Sequence, residues 1–263
     1  MLAVDYDEPG GPEVLKLKEI NIPDISKDEI LIKVKSAGVN RPDIIQREGN
    51  YPAPPGHSKT LGLEVSGIIE KVGTNVKKFL VGDKVAALVN GGGYAEFCKA
   101  NESLVFHIPK NITFNEAACI PECFFTAWSN IVMRGEIKKN QKILIHGGTS
   151  GVGIASIQIA KLFDSYIITT VGNKEKVSFC KKLGVDKTIN YKESNFFEEI
   201  KNSKISSVDL VLDFIGGDYI NKNINLLNND GRLVNIGFQN GSKAEINLMK
   251  IMLKRLTITG STL

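Results

Sequence analysis

The feature that most limits what this chain can fold into is the turn Gly147-Gly148-Thr149-Ser150-Gly151-Val152-Gly153. It follows a short apolar run, Lys142-Ile143-Leu144-Ile145-His146, and opens a stretch, 154–163, with apolar residues at helical spacing. A strand that runs through glycines straight into a helix is the context a dinucleotide-binding loop requires. Glycines let the backbone approach a pyrophosphate closely, and free N–H groups at a helix start favour negative charge. Gly148, Gly151 and Gly153 form a variant of the usual G-x-G-x-x-G spacing. Alone, such a turn could be no more than a tight turn, so the residues behind it decide. Strands read at Tyr166–Val171, Lys187–Asn190, Val208–Asp213, 232–236 and 256–259, with helices at 174–183 (stopped by Gly184), 195–202 and 219–227. That alternation predicts right-handed crossovers and a parallel, doubly wound α/β sheet.

Upstream of about residue 120 the pattern differs. Ile30-Leu31-Ile32-Lys33-Val34-Lys35, Val65 to Val72 and Lys84 to Val89 alternate as half-buried strands do. The connectors carry turn chemistry: Pro9-Gly10-Gly11-Pro12, Pro52-Ala53-Pro54-Pro55-Gly56, Gly82-Asp83 and Gly91-Gly92-Gly93. Many short strands at close spacing predict a compact antiparallel barrel or sandwich. A chain of 263 residues accommodates two domains, expected at 1–120 and 121–263.

The end of the second strand reports on the dinucleotide. NAD sites carry an acidic residue about 20 residues past the glycines, on the ribose hydroxyls. Here the chain reads Thr170-Val171-Gly172-Asn173-Lys174-Glu175-Lys176, with no carboxylate at the strand end and Glu175 already inside the next helix. Lys174 and Lys176 can meet a phosphate or simply solvate a helix face. The missing acid points to NADPH.

Charge and composition exclude other classes. Lys+Arg 33 against Asp+Glu 29 gives +4 without a block of like charge, so a dedicated nucleic-acid surface is not indicated. No apolar run approaches the roughly 18 residues that span a bilayer. The start, Met1-Leu2-Ala3-Val4-Asp5-Tyr6-Asp7, lacks the basic and apolar segments of a signal or transit peptide. Cys98, Cys119, Cys123 and Cys180 are too few and scattered for a disulfide scaffold, so a cytoplasmic setting is expected.

Several stretches together resemble the medium-chain dehydrogenase/reductase superfamily, in its quinone oxidoreductase (zeta-crystallin-like) branch. They are Met1-Leu2-Ala3-Val4, Val39-Asn40-Arg41-Pro42-Asp43, Gly62-Leu63-Glu64-Val65-Ser66-Gly67, Gly91-Gly92-Gly93-Tyr94-Ala95-Glu96, the 147–153 turn, Asn190-Tyr191-Lys192 and Asp213-Phe214-Ile215-Gly216-Gly217. The resemblance implies a GroES-like β-barrel domain followed by a Rossmann domain, with the active site in a cleft between them. It implies Ser150, Gly151, Val152 and Gly153 at the pyrophosphate, and Gly172, Lys176 and Tyr191 around the adenosine 2′-phosphate. Ile215, Gly216, Gly217, Gly237 and Phe238 fall along the nicotinamide side, and Asn40, Asp43, Tyr51 and Thr126 face the substrate. It also implies NADPH-dependent reduction of a quinone and a homodimer joined at the edge strand 256–259, where unpaired backbone groups invite pairing.

The zinc enzymes of the superfamily take a catalytic Cys and His where this chain has Asn40 and Leu63. Neither supplies a thiolate or imidazole, so no metal is expected. Cys119 and Cys123 read as core thiols, and His57, His107 and His146 as dispersed hydrogen-bonding residues. A quinone is already electron-poor; it needs orientation and a donor for charge developing on its oxygen. Tyr51, in a proline-rich loop, is the first candidate donor, with packing as its other reading, and Asn40 is the second. The family continues beyond the strand matched by 256–259, so the resemblance implies a C-terminally truncated chain. A non-catalytic NADPH-binding or structural protein is the alternative.

Overall fold

The computed structural model describes residues 1–262 and divides into two units, Met1–Glu122 and Cys123–Leu263. In the first, β1 (Leu2–Asp5) and β2 (Lys16–Glu19) form an antiparallel pair. There follow β3 (Glu29–Ala37), α1 (Arg41–Arg47), β4 (Glu64–Val72), β5 (Lys84–Leu88), β6 (Phe97–Asn101), β7 (Val105–His107) and α2 (Phe114–Ala117). Strands β6-β3-β4-β5-β7 make one antiparallel sheet in that order. Alternation puts Ile30, Ile32, Val65, Ile69 and Val85 into its core, where each is at most 1% exposed. Register shifts in β3–β4, between Leu31 and Ile32 and again between Val34 and Ser36, are the irregularities by which such sheets bend.

Helix α1 lies within a stretch read from the sequence only as a motif. Its start signals are nevertheless present: Asn40 holds an extended backbone before it, Pro42 sits in the first turn, and the Asp43 carboxylate accepts the Asn40 N–H at 2.7 Å.

The second unit takes up α3 (Pro121–Trp128) after that helix's first two residues, and α3 continues into a π-type segment, Ser129–Arg134. Next come β8 (Lys142–His146), α4 (Gly151–Lys161), β9 (Tyr166–Val171), α5 (Lys174–Lys182), β10 (Lys187–Asn190) and α6 (Phe196–Lys201). The series closes with β11 (Val208–Asp213), α7 (Tyr219–Leu226), β12 (Leu227–Asn235), α8 (Leu248–Lys254) and β13 (Thr257–Gly260). All six strands pair in parallel, in the order β10-β9-β8-β11-β12-β13. The chain moves outward from β8 on one side, then returns to β11 on the other, which creates a switch point between those two strands.

Both faces of this sheet are covered, so its strands read as apolar runs rather than alternations. Ile143, Ile145, Leu210 and Leu212 pack with Ala155 and Ile157 of α4. Leu144, Ile168, Val211 and Leu233 pack with Phe196 and Ile200 of α6 and Ile224 of α7. Each such side chain contributes about 1.5–3 kcal/mol on burial. Gly184, at φ +75°, ends α5. Strand β13 occupies the sheet edge, and Ile258 is exposed there. Helix α8, capped by Asn247, has no counterpart in the sequence reading. Its Leu248, Met249, Met252 and Leu253 face outward, which defeats a search for a buried apolar stripe.

Candidate functional site

The carboxyl ends of β8 and β11 flank the switch point, where open α/β sheets bind ligands. After β8 the chain turns at Gly147, whose φ is +64°, and enters α4 with Ser150 as N-cap. The Ser150 hydroxyl donates to the Gly147 carbonyl (2.8 Å) and accepts the Gly153 N–H (3.0 Å). The first N–H groups of α4, at Gly151 and Val152, lack intrahelical acceptors and favour an anion. The three motif glycines have separate causes. A Cβ on Gly153 would lie 2.3 Å from the Gly147 carbonyl, one on Gly148 would strike the Thr169 side chain, and one on Gly151 would lie 2.6 Å from Cys123 Sγ. Gly153 and Gly148 therefore serve close packing of strand, turn and helix, and Gly151 the packing of α4 on Cys123. The turn as built fits a pyrophosphate.

At the end of β9, Gly172 and Tyr191 come together: a Cβ on Gly172 would lie 2.8 Å from the Tyr191 hydroxyl. Tyr191 is exposed, and its N–H is held by the Val171 carbonyl at 3.0 Å. Lys176, in the first turn of α5, is exposed, has its N–H capped by Asn173 Oδ1, and makes no ion pair among the described residues. Lys174, by contrast, faces Glu193 at 3.7 Å. Gly172 and Tyr191 therefore meet at the end of β9, and Lys176, in the first turn of α5, is a cation without an ion pair among the described residues.

At the end of β11 the Asp213 carboxylate is fully buried and accepts the N–H groups of Ile215 (2.7 Å) and Gly216 (3.3 Å). Segment 238–241 folds onto this loop: Asn240 N–H donates to the Ile215 carbonyl, and Gly217 N–H donates to the Gly241 carbonyl. Gly216 and Gly217 are buried under it with positive φ. Ile215 and Gly237 are half-buried and Phe238 is exposed, so these three of the expected nicotinamide-side residues keep accessible surface.

The first unit holds a group of buried carboxylates. Asp43 departs from the expectation that it faces substrate: it is 2% exposed, and its oxygens accept Asn40 N–H, Gly62 N–H (3.2 Å) and the Tyr94 hydroxyl (2.9 Å). It braces the start of α1. Asn40 is half-buried and donates from Nδ2 to Glu64 Oε1 at 2.8 Å. The other oxygen of Glu64 accepts the Glu122 N–H at 2.9 Å. Burial pushes the Asp43 and Glu64 carboxyls above the ordinary range, against the hydrogen bonds that lower them. Glu122 is pushed up to about 7 by burial and by the charges of Glu64 and Asp43. Neither Glu64 nor Glu122 was legible as a functional group: Glu64 sits in an apolar strand, and Glu122 reads as an ordinary acid in a helix's first turn.

Tyr51 is half-buried in its proline-rich loop, and its hydroxyl has no hydrogen-bond partner among the described residues. Thr126, on α3, is half-buried, and its carbonyl accepts Asn130 Nδ2. Cys119 is not a core thiol: it lies exposed in the break between α2 and α3. Cys123 is half-buried against Gly151. His146 is fully buried between two hydrogen-bond partners, whereas His57 and His107 are exposed. Among the described residues no group of three or more His, Cys, Asp or Glu is arranged to hold a metal, and no helix is long and apolar enough to cross a membrane.

Residues 26–110 match the alcohol dehydrogenase GroES-like domain, and residues 151–263 match the zinc-binding dehydrogenase domain. The human quinone oxidoreductase is 34% identical, over all of this chain and 80% of its own length. The chain belongs to the medium-chain dehydrogenase/reductase superfamily. Within that superfamily it is an oxidoreductase homologous to the quinone oxidoreductases. The Escherichia coli quinone oxidoreductase complexed with NADPH superposes with a TM-score of 0.87 at 30% identity, covering all of this chain and 81% of that one. An NAD-dependent alcohol dehydrogenase superposes with a TM-score of 0.89, also at 30% identity, over all of this chain and 85% of that one. Fold likeness therefore does not choose between the two dinucleotides, and the choice falls to the residues after β9.

Proposed function

We propose that this chain is an NADPH-dependent quinone reductase that works without a metal. The observation that carries the reading is the end of β9. Gly172 meets Tyr191 there, the strand ends without a carboxylate to accept ribose hydroxyls, and the unpaired Lys176 follows in the first turn of α5, which suits a 2′-phosphate. The likeness to a quinone oxidoreductase complexed with NADPH supports it. Gly151 and Val152 N–H groups would hold the pyrophosphate, with Ser150 keeping the turn in shape. Ile215, Gly237 and Phe238 would lie along the nicotinamide. Bound there, the cofactor would supply the hydride.

The substrate side belongs to Asn40 and Tyr51. Asn40 spends one amide hydrogen on Glu64 and keeps a second for charge on a quinone oxygen. Zinc does not fit this arrangement. An amide already tied to a carboxylate and the alkyl group of Leu63 stand where the zinc enzymes have thiolate and imidazole.

The test is oxidation of NADPH and of NADH by the purified chain with an ortho- or para-quinone. Quinone-dependent turnover with NADPH preferred is expected. Tight NADPH binding without turnover would instead favour a binding protein. We further propose a homodimer through β13, whose free edge and exposed Ile258 suit strand pairing. Light scattering at high concentration should give twice the monomer mass, and a clean monomer would reject it.

A further inference from the structure

Between the two loops of the switch point runs a buried polar chain that the reading above leaves without a role. Gly147 N–H donates to Thr170 Oγ1 at 3.4 Å, and Gly148 N–H donates to the Thr170 carbonyl at 3.2 Å. Thr170 Oγ1 lies 3.0 Å from His146 Nδ1, and His146 Nε2 lies 2.9 Å from Asn223 Oδ1. Asn223 Nδ2 donates to Asp213 Oδ2 at 3.2 Å, joined there by Asn235 Nδ2 at 3.1 Å. Asp213 Oδ1 then holds the N–H groups of Ile215 and Gly216. His146, Thr170, Asn223 and Asp213 are each at most 1% exposed.

The donor count leaves one direction. Asn223 gives its amide hydrogens to Asp213, so its oxygen faces the imidazole, and Nε2 of His146 must carry the proton. Nδ1 is then an acceptor and takes the Thr170 hydroxyl hydrogen, which leaves Thr170 Oγ1 free to accept Gly147 N–H. The ring is held edge-on by Phe196 and Tyr219, with centroids 5.0 Å away in both cases. Burial holds the imidazole below its ordinary pKa, so the neutral tautomer persists. A fully satisfied, buried chain of this kind is stiff, because every polar group in it has a protein partner.

We infer that His146 is a positioning residue: through Thr170 on one side and Asn223–Asp213 on the other, it sets the distance between the pyrophosphate turn and the Ile215–Gly217 loop, and so matches the two halves of the site to one dinucleotide. This rests on the dinucleotide reading above. A ligand confined to the adenosine half should not sense the chain, because Ser150, Gly153 and the Thr170 carbonyl hold that turn locally. A ligand that spans both loops should.

The experiment compares binding of 2′,5′-ADP and of NADPH to the wild-type chain, His146→Phe and His146→Gln by calorimetry, with melting recorded beside it. Phe keeps the ring and removes both bonds. Gln keeps a donor toward Asn223 and should recover part of the loss. Expected for His146→Phe is NADPH binding weaker by about tenfold or more, with 2′,5′-ADP within about threefold of wild type. Equal weakening of both ligands, or NADPH affinity unchanged, would overturn the inference. A second measurement needs no variant: the ring-nitrogen NMR spectrum of the wild-type chain should contain a histidine with its proton on Nε2 that is still neutral below the ordinary imidazole range. If every histidine titrates normally, or the buried ring carries its proton on Nδ1, the chain does not run as inferred. Should wild type bind neither ligand, the dinucleotide reading fails, which is a different result.

Discussion

At the carboxyl ends of β8 and β11 the candidate ligand-facing groups are backbone N–H groups, in turns whose glycines leave no room for a Cβ, which would meet a neighbour inside 3 Å at Gly148, Gly151, Gly153 and Gly216. In the first unit the candidate group is a side chain, the Asn40 amide, and behind it lie three buried carboxylates gathered from α1, β4 and the start of α3. The first arrangement tolerates almost no added atoms, and its backbone N–H groups do not themselves titrate. The second tolerates shape changes but has to accommodate negative charge away from water. Substitutions should therefore act through sterics in one place and through proton balance in the other.

The largest effect is expected at Gly153. A methyl group there meets the Gly147 carbonyl, a backbone atom that cannot swing aside. Gly153→Ala should displace the turn and weaken NADPH at least about a hundredfold, close to 3 kcal/mol, without moving the melting of the first unit. Calorimetry on the variant checks this. Retained affinity would show that the turn adapts and that the backbone description of this site is wrong.

Next is Glu122→Gln, where the readout is pH. The ordinary value of the group is 4.5 and its folded value is about 7. A raised carboxyl leaves stability intact below pH 4.5, where both states are protonated. Stability is then lost as pH rises toward 7, because only the unfolded chain ionises freely. A difference of that size corresponds to about 3 kcal/mol as an order of magnitude. Wild type and Glu122→Gln should therefore unfold alike near pH 4.5, and the variant should be the more stable near pH 8. A gap that does not change with pH would mean that Glu122 titrates normally and that the three carboxylates do not act on one another.

Lys176→Ala should be smaller and selective, weakening NADPH about tenfold, near 1.4 kcal/mol, with NADH almost unchanged. Lys174→Ala is the internal control, since Glu193 already faces that ammonium. Equal losses for both cofactors would move Lys176 away from the 2′-phosphate.

The same contrast explains what could be read from the sequence. The doubly wound sheet was legible because both its faces are buried, which leaves apolar runs, and because glycines mark the turn where the backbone is crowded. The lack of a carboxylate after β9 was legible for the same local reason. The burial of Asp43 was not legible because a motif position does not disclose that three donors converge on it, from Asn40, Gly62 and Tyr94. Glu122 and Glu64 lie 58 residues apart in sequence and meet only through tertiary structure. The His146–Asn223 bond spans 77 residues and leaves no periodic trace. Helix α8 escaped because its apolar residues point outward, so it shows no buried stripe.

The smallest effect is expected at Tyr51, and it decides which group of the first unit acts on substrate. Removing a donor aimed at developing charge can cost about a hundredfold in rate when the donor is rigidly placed. Tyr51 is not held that way: its hydroxyl has no hydrogen-bond partner among the described residues, and its loop is restrained by prolines at 52, 54 and 55 and by the His57 N–H on the Pro54 carbonyl. A quinone also accepts hydride readily, so the donor has less to stabilise. Tyr51→Phe should lower quinone turnover by about two- to fivefold, under roughly 1 kcal/mol, leaving NADPH affinity and melting unchanged because the hydroxyl supports neither. Asn40 differs in being fixed by Glu64 on its side chain and by Asp43 on its backbone. If Tyr51→Phe turns over like wild type, Tyr51 is a packing residue. The donor role then passes to Asn40, whose rigidity comes from the same carboxylates that make this unit sensitive to pH.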